Sequence, residues 1–425
     1  MQRINNFFLF IKKQVFISKG SVFLFKFFGM FLNFIVTLLI TNVFGSSSYG
    51  LFSLSLTINQ LLVMCFSLGL PAAFVAFTGT FDSLKKNKGL LIKSIKIAFF
   101  IALIPSILLF FLSDDIALMY GKADLDPYLK SVFIFFFFSI IHEINVNYFL
   151  SINSYIKYGL LYFVFPNLFF LILLLIVKLL NFGGYFIMVA YNISIAINVI
   201  LAMFFIFKER EYEVVGIKSK VILDKSLPMM ISGFFIMLLS WTDILIMGKY
   251  ETEENIGIYN AAFKIGTLTL FFINASGVLI LSDISKYYAQ KKLLLLKKII
   301  NRTTRITIIL TLPLVVFIFF FGKEILTFFG KDFYKGYIAL IIITSGALFN
   351  AMTGNVDQIL NMTGSEKTVR NILFFCFLIN LFLCLIFIPI YGFEGAATSN
   401  FIVSVFVNVI FVIVIKKRLG FYTFF

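Results

Sequence analysis

The chain has 425 residues, of which 61% are hydrophobic and only 13% are charged, and its formal net charge is +16. Soluble globular proteins carry about 45–50% apolar and about 25% charged residues, whereas one membrane-spanning helix needs about 20 mostly apolar residues. With a mean hydropathy of +1.02, the composition excludes a soluble enzyme and any sizeable domain outside the bilayer.

Apolar runs separated by polar breaks predict an all-α polytopic membrane protein with about twelve transmembrane helices. Because Ile4, Phe7 and Ile11 share one helical face, we expect residues 1–21 to form a cytoplasmic interfacial helix. The remaining predicted regions are an N-terminal six-helix bundle over 22–207, a cytoplasmic linker over 208–226, a C-terminal six-helix bundle over 227–415 and a cytoplasmic tail over 416–425. The predicted spans are 22–44, 51–80, 91–112, 128–150, 160–180, 184–207, 227–248, 257–281, 303–321, 338–360, 371–390 and 394–415.

The orientation follows from the basic residues. Most of the 36 Lys and Arg fall on one side of the predicted spans, among them Lys85, Lys291 and Lys416. Acidic residues such as Asp115 and Glu254 fall on the other side. Cytoplasmic loops carry an excess of Lys and Arg, so both termini are predicted to be cytoplasmic. The basic surplus is therefore a topological signal that also favours contact with anionic membrane lipids, and nucleic acid is not expected as a partner.

The two halves of the chain repeat each other. Pro105, within one predicted span, matches Pro313 in another, and the loop glycine Gly50 matches Gly257. The segments 115–122 and 324–331 each begin with an acidic residue and end with Gly-Lys. Both halves begin on the same side of the membrane, which predicts two pseudo-symmetric bundles around a central cavity, as in parallel-repeat transporters. Rocking about that cavity would expose it alternately to each face. A duplicated bundle without a pathway is the alternative.

Four motifs carry a resemblance to a known family. They are Trp241-Thr242-Asp243, the segment 257–264 (GIYNAAFK), the segment 360–367 (LNMTGSEK) and the segment 389–397 (PIYGFEGAA). With these motifs the chain resembles the polysaccharide-transport (Wzx-type) oligosaccharide-lipid flippases of the MOP superfamily, over nearly its whole length.

The resemblance implies a function. Flippases of this type move undecaprenyl-pyrophosphate-linked oligosaccharide repeat units across the bacterial cytoplasmic (inner) membrane by alternating access. The products feed O-antigen of lipopolysaccharide, capsule or related surface polysaccharide. The resemblance also implies coupling to a proton or a sodium ion, and partnership with polysaccharide polymerase and chain-length regulator proteins.

Charged side chains inside the predicted spans are candidates for substrate binding, because a charge in the bilayer is costly unless it is paired or hydrated. Lys26 lies about one turn into the first span, where it either snorkels to the headgroups or meets the pyrophosphate. Asp243 and Lys264 flank an outer loop at similar depth. They form either a structural ion pair or a translocation site in which Lys264 binds phosphate and Asp243 is its counter-ion in the empty state.

Two further polar stretches lie inside predicted spans. His142 and Glu143 are candidates for proton coupling, because a desolvated Glu143 could exchange a proton near neutral pH. The alternative is a capped or water-bound carboxylate. Asn355 and Asp357 belong to the densest polar stretch within any span, and we expect them to line the translocation path. Alternatively, Asp357 pairs with a basic residue within 367–370.

No catalytic, metal or cofactor site is expected. The three cysteines lie far apart, there is a single histidine, and no G-x-x-x-x-G-K-[ST] run is present, which disfavours a zinc site, a Ser–His triad and ATP hydrolysis. A multidrug or organic-cation antiporter of the same superfamily is the main alternative function, and it would need a net acidic lumen. A membrane-bound polysaccharide polymerase would need longer outer loops, and a non-transporting scaffold would tolerate alanine at Asp243 and Lys264.

Overall fold

The computed structural model describes residues 2–71, 74, 83–208, 211–214, 216 and 218–424. Regular structure within these ranges is helical, without any β-strand. The α-helices are α1 (Gln2–Phe66), α2 (Leu84–Phe111), α3 (Ser113–Met119), α4 (Asp126–Ser151), α5 (Tyr155–Gly159), α6 (Phe165–Leu179), α7 (Phe186–Phe207), α8 (Ser219–Tyr250), α9 (Glu253–Thr267), α10 (Leu270–Ala289), α11 (Leu293–Thr327), α12 (Tyr337–Thr353), α13 (Val356–Met362) and α14 (Glu366–Leu419). A π-helix covers Leu160–Val164, and 3₁₀ helices cover Ala123–Leu125 and Lys331–Gly336.

Nine helical stretches in the described part of the chain are long and apolar enough to cross a membrane. Two of them are long enough for two crossings of about 20 residues each: Ser21–Phe66 has 46 residues and Glu366–Leu419 has 54. Each is kinked at a glycine with a positive φ, at Gly45 (82°) and Gly392 (61°), a conformation that glycine adopts without steric cost. The protein is therefore an all-α, multi-pass membrane protein. The total of twelve crossings and the cytoplasmic position of both termini stay predictions.

Two predicted spans are divided in the structure. Helices α9 and α10 share the span predicted over 257–281, and between them the Thr269 hydroxyl donates to the Gly266 carbonyl at 2.6 Å. Helix α12 ends inside the span predicted over 338–360, because Gly354 has a φ of 77°. A side-chain hydroxyl that bonds a backbone carbonyl offers that carbonyl an alternative to its helical hydrogen bond. A glycine with a positive φ lies outside the helical backbone conformation. The apolar composition on both sides conceals these breaks in the sequence.

Two other predicted segments fall partly outside the described residues. Helix α1 ends at Phe66 within the span predicted over 51–80, of which residues 72, 73 and 75–80 are not described. At the other end, α1 begins at Gln2 and continues past residue 21 without a break. The side chains before residue 21 lie outside the described set, so the surface position of the predicted interfacial helix stays a prediction.

The chain divides into two compact units. Unit 1 consists of Met1–Phe44 and Ser55–Phe234, and unit 2 consists of Gly45–Leu54 and Phe235–Phe425. The short segment Gly45–Leu54 therefore packs with the second half of the chain, which the hydropathy pattern does not reveal. The predicted boundaries of the bundles, the linker and the tail stay predictions.

Helix α4 is central to unit 1. It packs against α2 and α7, and it places Phe136, Ile140 and Ile144 in a buried apolar core. Helix α1 approaches the π-helix so closely that a Cβ at Gly29 would lie 2.3 Å from the Phe163 carbonyl oxygen. Small residues permit such close backbone contacts between membrane helices, so this contact requires glycine.

Helix α12 is central to unit 2, where it packs against α9, α11 and α14. The segment Gly45–Leu54 lies against α9. A Cβ at Gly50 would lie 1.8 Å from the Glu253 carbonyl oxygen, and a Cβ at Gly257 would lie 2.2 Å from the Ser46 carbonyl oxygen. A Cβ at Gly50 would also lie 3.0 Å from the Gly257 backbone nitrogen. The two loop glycines that the sequence repeat matches are therefore in contact.

Other matched positions have the same local geometry in the two units. Pro105 lies inside α2 and Pro313 lies inside α11. Gly121 and Gly330 both have positive φ, of 67° and 136°. Each of these glycines is followed within two residues by a 3₁₀ helix. This agreement supports the predicted internal repeat.

Candidate functional site

Asp243 is a carboxyl group buried in unit 2, on α8, with 1% of its surface exposed. Its Oδ2 accepts hydrogen bonds from the Tyr259 hydroxyl on α9 and, at 3.5 Å, from Asn400 Nδ2 on α14. Its Oδ1 accepts the backbone N–H of Ile244 at 2.8 Å. Burying a carboxyl group costs free energy unless it is hydrogen-bonded. These partners therefore join α8, α9 and α14 around one polar centre, the Asp243 cluster (Asp243, Tyr259 and Asn400).

Lys264 is half-buried on α9, beside the segment Gly45–Leu54. Its Nζ lies 5.6 Å from the centroid of the Tyr49 ring, within the range of a cation–π contact. One turn earlier on α9, Asn260 Nδ2 donates to the Tyr49 hydroxyl at 3.3 Å and to Ser53 Oγ. The ammonium group thus lies over an aromatic face in a region of amides and hydroxyls.

The ion pair between Asp243 and Lys264, one of the two arrangements expected from the sequence, is not formed. Among the described residues, the Asp243 carboxyl group bonds to Tyr259, Asn400 and the backbone of Ile244. Tyr259 and Lys264 are five residues apart, which places their side chains roughly 140° apart around α9. Because Tyr259 faces Asp243, Lys264 faces elsewhere. A role for Lys264 in binding phosphate stays a prediction.

Tyr259→Phe should lower the free energy of unfolding by about 1–3 kcal/mol, because it leaves a buried carboxyl oxygen short of a donor. The measurement is the thermal midpoint of the purified protein in detergent. Tyr250→Phe is the matched control, because Tyr250 is 51% exposed at the end of α8. Equal midpoints for the two variants would show that the Tyr259 hydroxyl does not stabilise the cluster.

A cavity of about 250 Å³ lies inside unit 2, among α8, α9, α12 and α14. None of the described lining residues is charged, and the polar ones among them are amides and hydroxyls: Ser240, Thr267, Asn350, Asn380, Asn400, Ser404 and Asn408. Phe263 and Phe401 add two aromatic rings. We call this space the amide cavity. Its asparagines come from α12 and from both sides of the kink in α14, so their proximity is not visible in the sequence. Asparagine inside otherwise apolar helices was the available signal.

Asn355 lies at the break between α12 and α13. Its Nδ2 donates to Ser276 Oγ at 3.0 Å, and the same oxygen accepts the Thr307 hydroxyl at 3.0 Å. The break is thereby joined to α10 and α11. Asp357, two residues later, is exposed, and no described residue forms an ion pair with it. The alternative, a pairing with a basic residue within 367–370, is therefore not found, and the role of Asn355 and Asp357 in lining a path stays a prediction.

His142 is buried in unit 1 and bonded to a neighbouring helix. Its Nδ1 lies 3.2 Å from Asn198 Nδ2 on α7. The same Nδ2 donates to the Leu161 carbonyl at 2.7 Å, which fixes the orientation of the amide and makes His142 Nδ1 the acceptor. An imidazole with one accepting nitrogen is neutral. The π-helix contains Leu161, so this bond satisfies a carbonyl within that irregular turn.

Glu143 is the half-buried acid beside His142. Its carboxyl group interacts electrostatically with Tyr158, Tyr162 and Tyr191. No ion pair to Glu143 is found among the described residues. Structure and sequence thus both place an acid inside the helical part of unit 1, and the proton-coupling role of Glu143 and His142 stays a prediction.

Lys26 lies on α1 of unit 1 and is half-buried. It precedes Gly29 by three residues, so it lies close to the contact of α1 with the π-helix. No ion pair joins Lys26 to another described residue. Its expected contact with pyrophosphate stays a prediction.

Metal-ligating side chains are not clustered in the described part of the chain. No group of three or more His, Cys, Asp or Glu there could hold a metal ion. The three cysteines are free thiols, with Cys376 and Cys384 buried in α14. The structure therefore offers no residues for a metal centre within those ranges.

The described helices form a multi-pass membrane fold that holds carboxyl, ammonium and amide groups inside its two units. A family model described as "Polysaccharide biosynthesis protein" matches residues 18–282, more than half of the chain. The chain belongs to this family. A second model, MatE, matches residues 228–386.

Two curated relatives match part of the chain. One is the "Probable low-salt glycan biosynthesis flippase Agl15" of Haloferax volcanii, 26% identical over 176 residues, or 40% of this chain and 36% of that protein. The other is the "Capsular polysaccharide biosynthesis protein CapF" of Staphylococcus aureus, 28% identical over 178 residues, or 41% of this chain and 43% of that protein. The chain thus spans less than half the length of these relatives.

Solved structures match nearly the whole chain. An inward-facing multidrug resistance MATE family transporter of the MOP superfamily has a TM-score of 0.79 at 14% identity, covering 92% of this chain and 94% of its own. The lipid II flippase MurJ in an inward closed conformation has a TM-score of 0.78 at 19% identity, covering 93% and 87%. A MOP superfamily transporter of Pyrococcus furiosus has a TM-score of 0.68 at 15% identity, covering 96% of both chains. At sequence identities this low, the similarity to these structures shows that this chain has the same fold, and it shows the fold alone. Together with the family models and the curated relatives, it confirms the resemblance found in the sequence.

Proposed function

We propose that this protein is a flippase for lipid-linked glycans. It translocates undecaprenyl-pyrophosphate-linked oligosaccharide repeat units across the bacterial cytoplasmic membrane by alternating access, for O-antigen or capsule-type surface polysaccharide. Membership of the polysaccharide biosynthesis protein family and the names of the two curated relatives support this proposal. Coupling to a proton or a sodium ion, and cooperation with polysaccharide polymerase and chain-length regulator proteins, belong to the same proposal.

The position of Lys264 is the observation that carries the proposal. Lys264 lies on α9 between Phe263 and Thr267, which both line the amide cavity. A cation beside uncharged amides and hydroxyls is complementary to a cargo that joins an anionic pyrophosphate to neutral sugars. Charged side chains within membrane helices usually mark substrate pathways. An ammonium group also holds phosphate as a point charge.

The same region disfavours an organic-cation antiporter. A carboxylate would balance the charge of a bound cation, and no described residue that lines the amide cavity is acidic. The buried Asp243 carboxyl group is already bonded to Tyr259, Asn400 and the Ile244 backbone. The polar lining of unit 2 therefore suits a glycan better than a lipophilic cation.

Reconstitution tests the proposal directly. The full chain is inserted into vesicles that contain an undecaprenyl-pyrophosphate-linked oligosaccharide, and an impermeant oxidant then reports the glycan exposed on the outer leaflet. We expect oxidation of the inner-leaflet fraction to depend on the protein. Oxidation equal to that of protein-free vesicles would overturn the proposal. Movement of a cationic dye without movement of the glycan would identify an antiporter.

A further inference from the structure

The amide cavity combines many hydrogen-bonding groups with no charge. Polar groups from four helices surround about 250 Å³. Pockets for drug-sized ligands measure about 300–1,000 Å³, so this cavity admits a small ligand. No described residue of the lining is Lys, Arg, Asp or Glu, so neither an anion nor a cation finds an opposite charge there.

In two asparagines of the cavity, both the Nδ2 and the Oδ1 atom of the side chain form a hydrogen bond. Asn380 donates from Nδ2 to the Leu239 carbonyl at 3.3 Å, and its Oδ1 accepts the Cys384 thiol at 3.8 Å. Asn408 donates to the Ser404 carbonyl at 2.8 Å, and its Oδ1 accepts the Thr353 hydroxyl at 3.0 Å. Each amide nitrogen carries a second hydrogen. These fixed side chains can therefore offer an oriented donor to a ligand.

Other polar groups of the cavity keep more of their bonding capacity. The Asn350 amide and the Ser404 hydroxyl have no hydrogen bond to another described residue. Asn400 uses only Nδ2, in its bond to Asp243, and its Oδ1 has no described donor. The NH₂ group of an asparagine amide can donate two hydrogen bonds and its oxygen can accept two, and a hydroxyl group can both donate and accept. The cavity therefore presents donors and acceptors together, which is the pattern that complements a ring of hydroxyl groups.

The apolar part of the lining fits the same ligand. Phe263 on α9 and Phe401 on α14 present aromatic rings, whose faces are electron-rich and pack well against the C–H face of a sugar ring. A hydrocarbon tail is a poor occupant, because it would bury the amides of Asn350 and Asn400 without partners at a cost in free energy.

We propose that the amide cavity binds one uncharged pyranose ring of the transported glycan. This inference rests on the proposed function, since it assigns one sugar of the same cargo to unit 2. The amides of Asn350 and Asn380 and the Ser404 hydroxyl bond the sugar hydroxyls, and Phe263 and Phe401 enclose its apolar face. The anionic pyrophosphate stays outside the cavity, where no described residue carries a positive charge, and meets Lys264 on the neighbouring face of α9.

Binding can be measured with the chain's own fluorophore. The single tryptophan is Trp241, which directly follows two cavity residues, Leu239 and Ser240, on α8. The purified full chain in detergent is titrated with methyl glycosides of glucose, galactose, rhamnose and N-acetylglucosamine, while Trp241 emission is recorded. We expect a saturable change with at least one of these neutral sugars. We expect none with glucuronate or with tetraphenylphosphonium.

Variants test whether the change in Trp241 emission comes from a ligand in the amide cavity. Asn350→Leu and, as a smaller change, Ser404→Ala should each weaken glycoside binding about tenfold, because a sugar hydroxyl then loses its partner. Asn371→Leu is the matched control, since Asn371 is an exposed amide on α14, and it should leave binding unchanged. Ser404→Ala keeps the test decisive if Asn350→Leu does not fold.

The outcomes separate this inference from the proposed function. Absence of a saturable signal with all four glycosides would overturn the pyranose site, as would wild-type affinity in both Asn350→Leu and Ser404→Ala. Binding of tetraphenylphosphonium that Asn350→Leu weakens would identify a cation site instead. Movement of lipid-linked glycan in vesicles without glycoside binding would refute this inference alone. Cavity-dependent glycoside binding without glycan movement would refute the flippase function, and the cavity would then be a pyranose site whose sugar is not part of a transported glycan.

Discussion

Lys264→Ala should abolish glycan translocation while the protein still inserts and folds. The ammonium group lies over the Tyr49 ring on the helix whose neighbouring residues line the amide cavity. A pyrophosphate entering a medium of low dielectric constant needs a compensating charge, and alanine removes it. The measurement is the outward movement of undecaprenyl-pyrophosphate-linked oligosaccharide in reconstituted vesicles. We expect a signal equal to that of protein-free vesicles.

Two variants separate charge from packing. Lys264→Arg keeps a cation at the position and should retain part of the transport. Lys249→Ala removes an exposed lysine from the end of α8 and should transport like the wild type. Wild-type transport by Lys264→Ala, with Lys249→Ala as the reference, would remove Lys264 from the mechanism.

Features that depend on local sequence were predictable. The length and hydropathy of apolar runs predicted a helical membrane protein, because backbone groups in lipid must be bonded within helices. The repeat was also visible locally. Gly121 and Gly330 both have a positive φ and precede a 3₁₀ helix, and Pro105 and Pro313 lie inside corresponding long helices.

Features that depend on helix rotation were not predictable. Sequence spacing placed Asp243 and Lys264 at similar depth, but depth does not specify which way a side chain points around its helix. Tyr259 lies on the face of α9 that meets Asp243. The orientation of α9 therefore gives Asp243 a hydrogen bond from Tyr259 in place of the ion pair with Lys264. The amide cavity was hidden for a related reason. Asn350 and Asn408 are far apart in the chain, and only the packing of α12 on α14 brings them to one space.

Alanine at Gly50 or Gly257 should disrupt the packing of the segment Gly45–Leu54 on α9. The added Cβ would lie 1.8 Å from the Glu253 carbonyl oxygen in the first case and 2.2 Å from the Ser46 carbonyl oxygen in the second. Both obstacles are backbone atoms, which cannot move aside by a rotamer change. Overpacking of this kind costs about 1–3 kcal/mol, and more where a helix must shift. We expect a lower thermal midpoint in detergent for each variant.

The double variant gives the sharper result, because the two glycines share one contact. A Cβ at Gly50 would also lie 3.0 Å from the Gly257 backbone nitrogen, so a shift of α9 that relieves one clash relieves part of the other. Contacting residues show non-additive effects on stability, and the loss in the double variant should therefore be smaller than the sum of the single losses. Gly216→Ala is the matched control, since no described atom lies within 4 Å of a Cβ at that position. If Gly50→Ala and Gly257→Ala both unfold at the midpoint of Gly216→Ala, the segment does not pack on α9 at this distance, and Lys264 loses the Tyr49 ring that positions it.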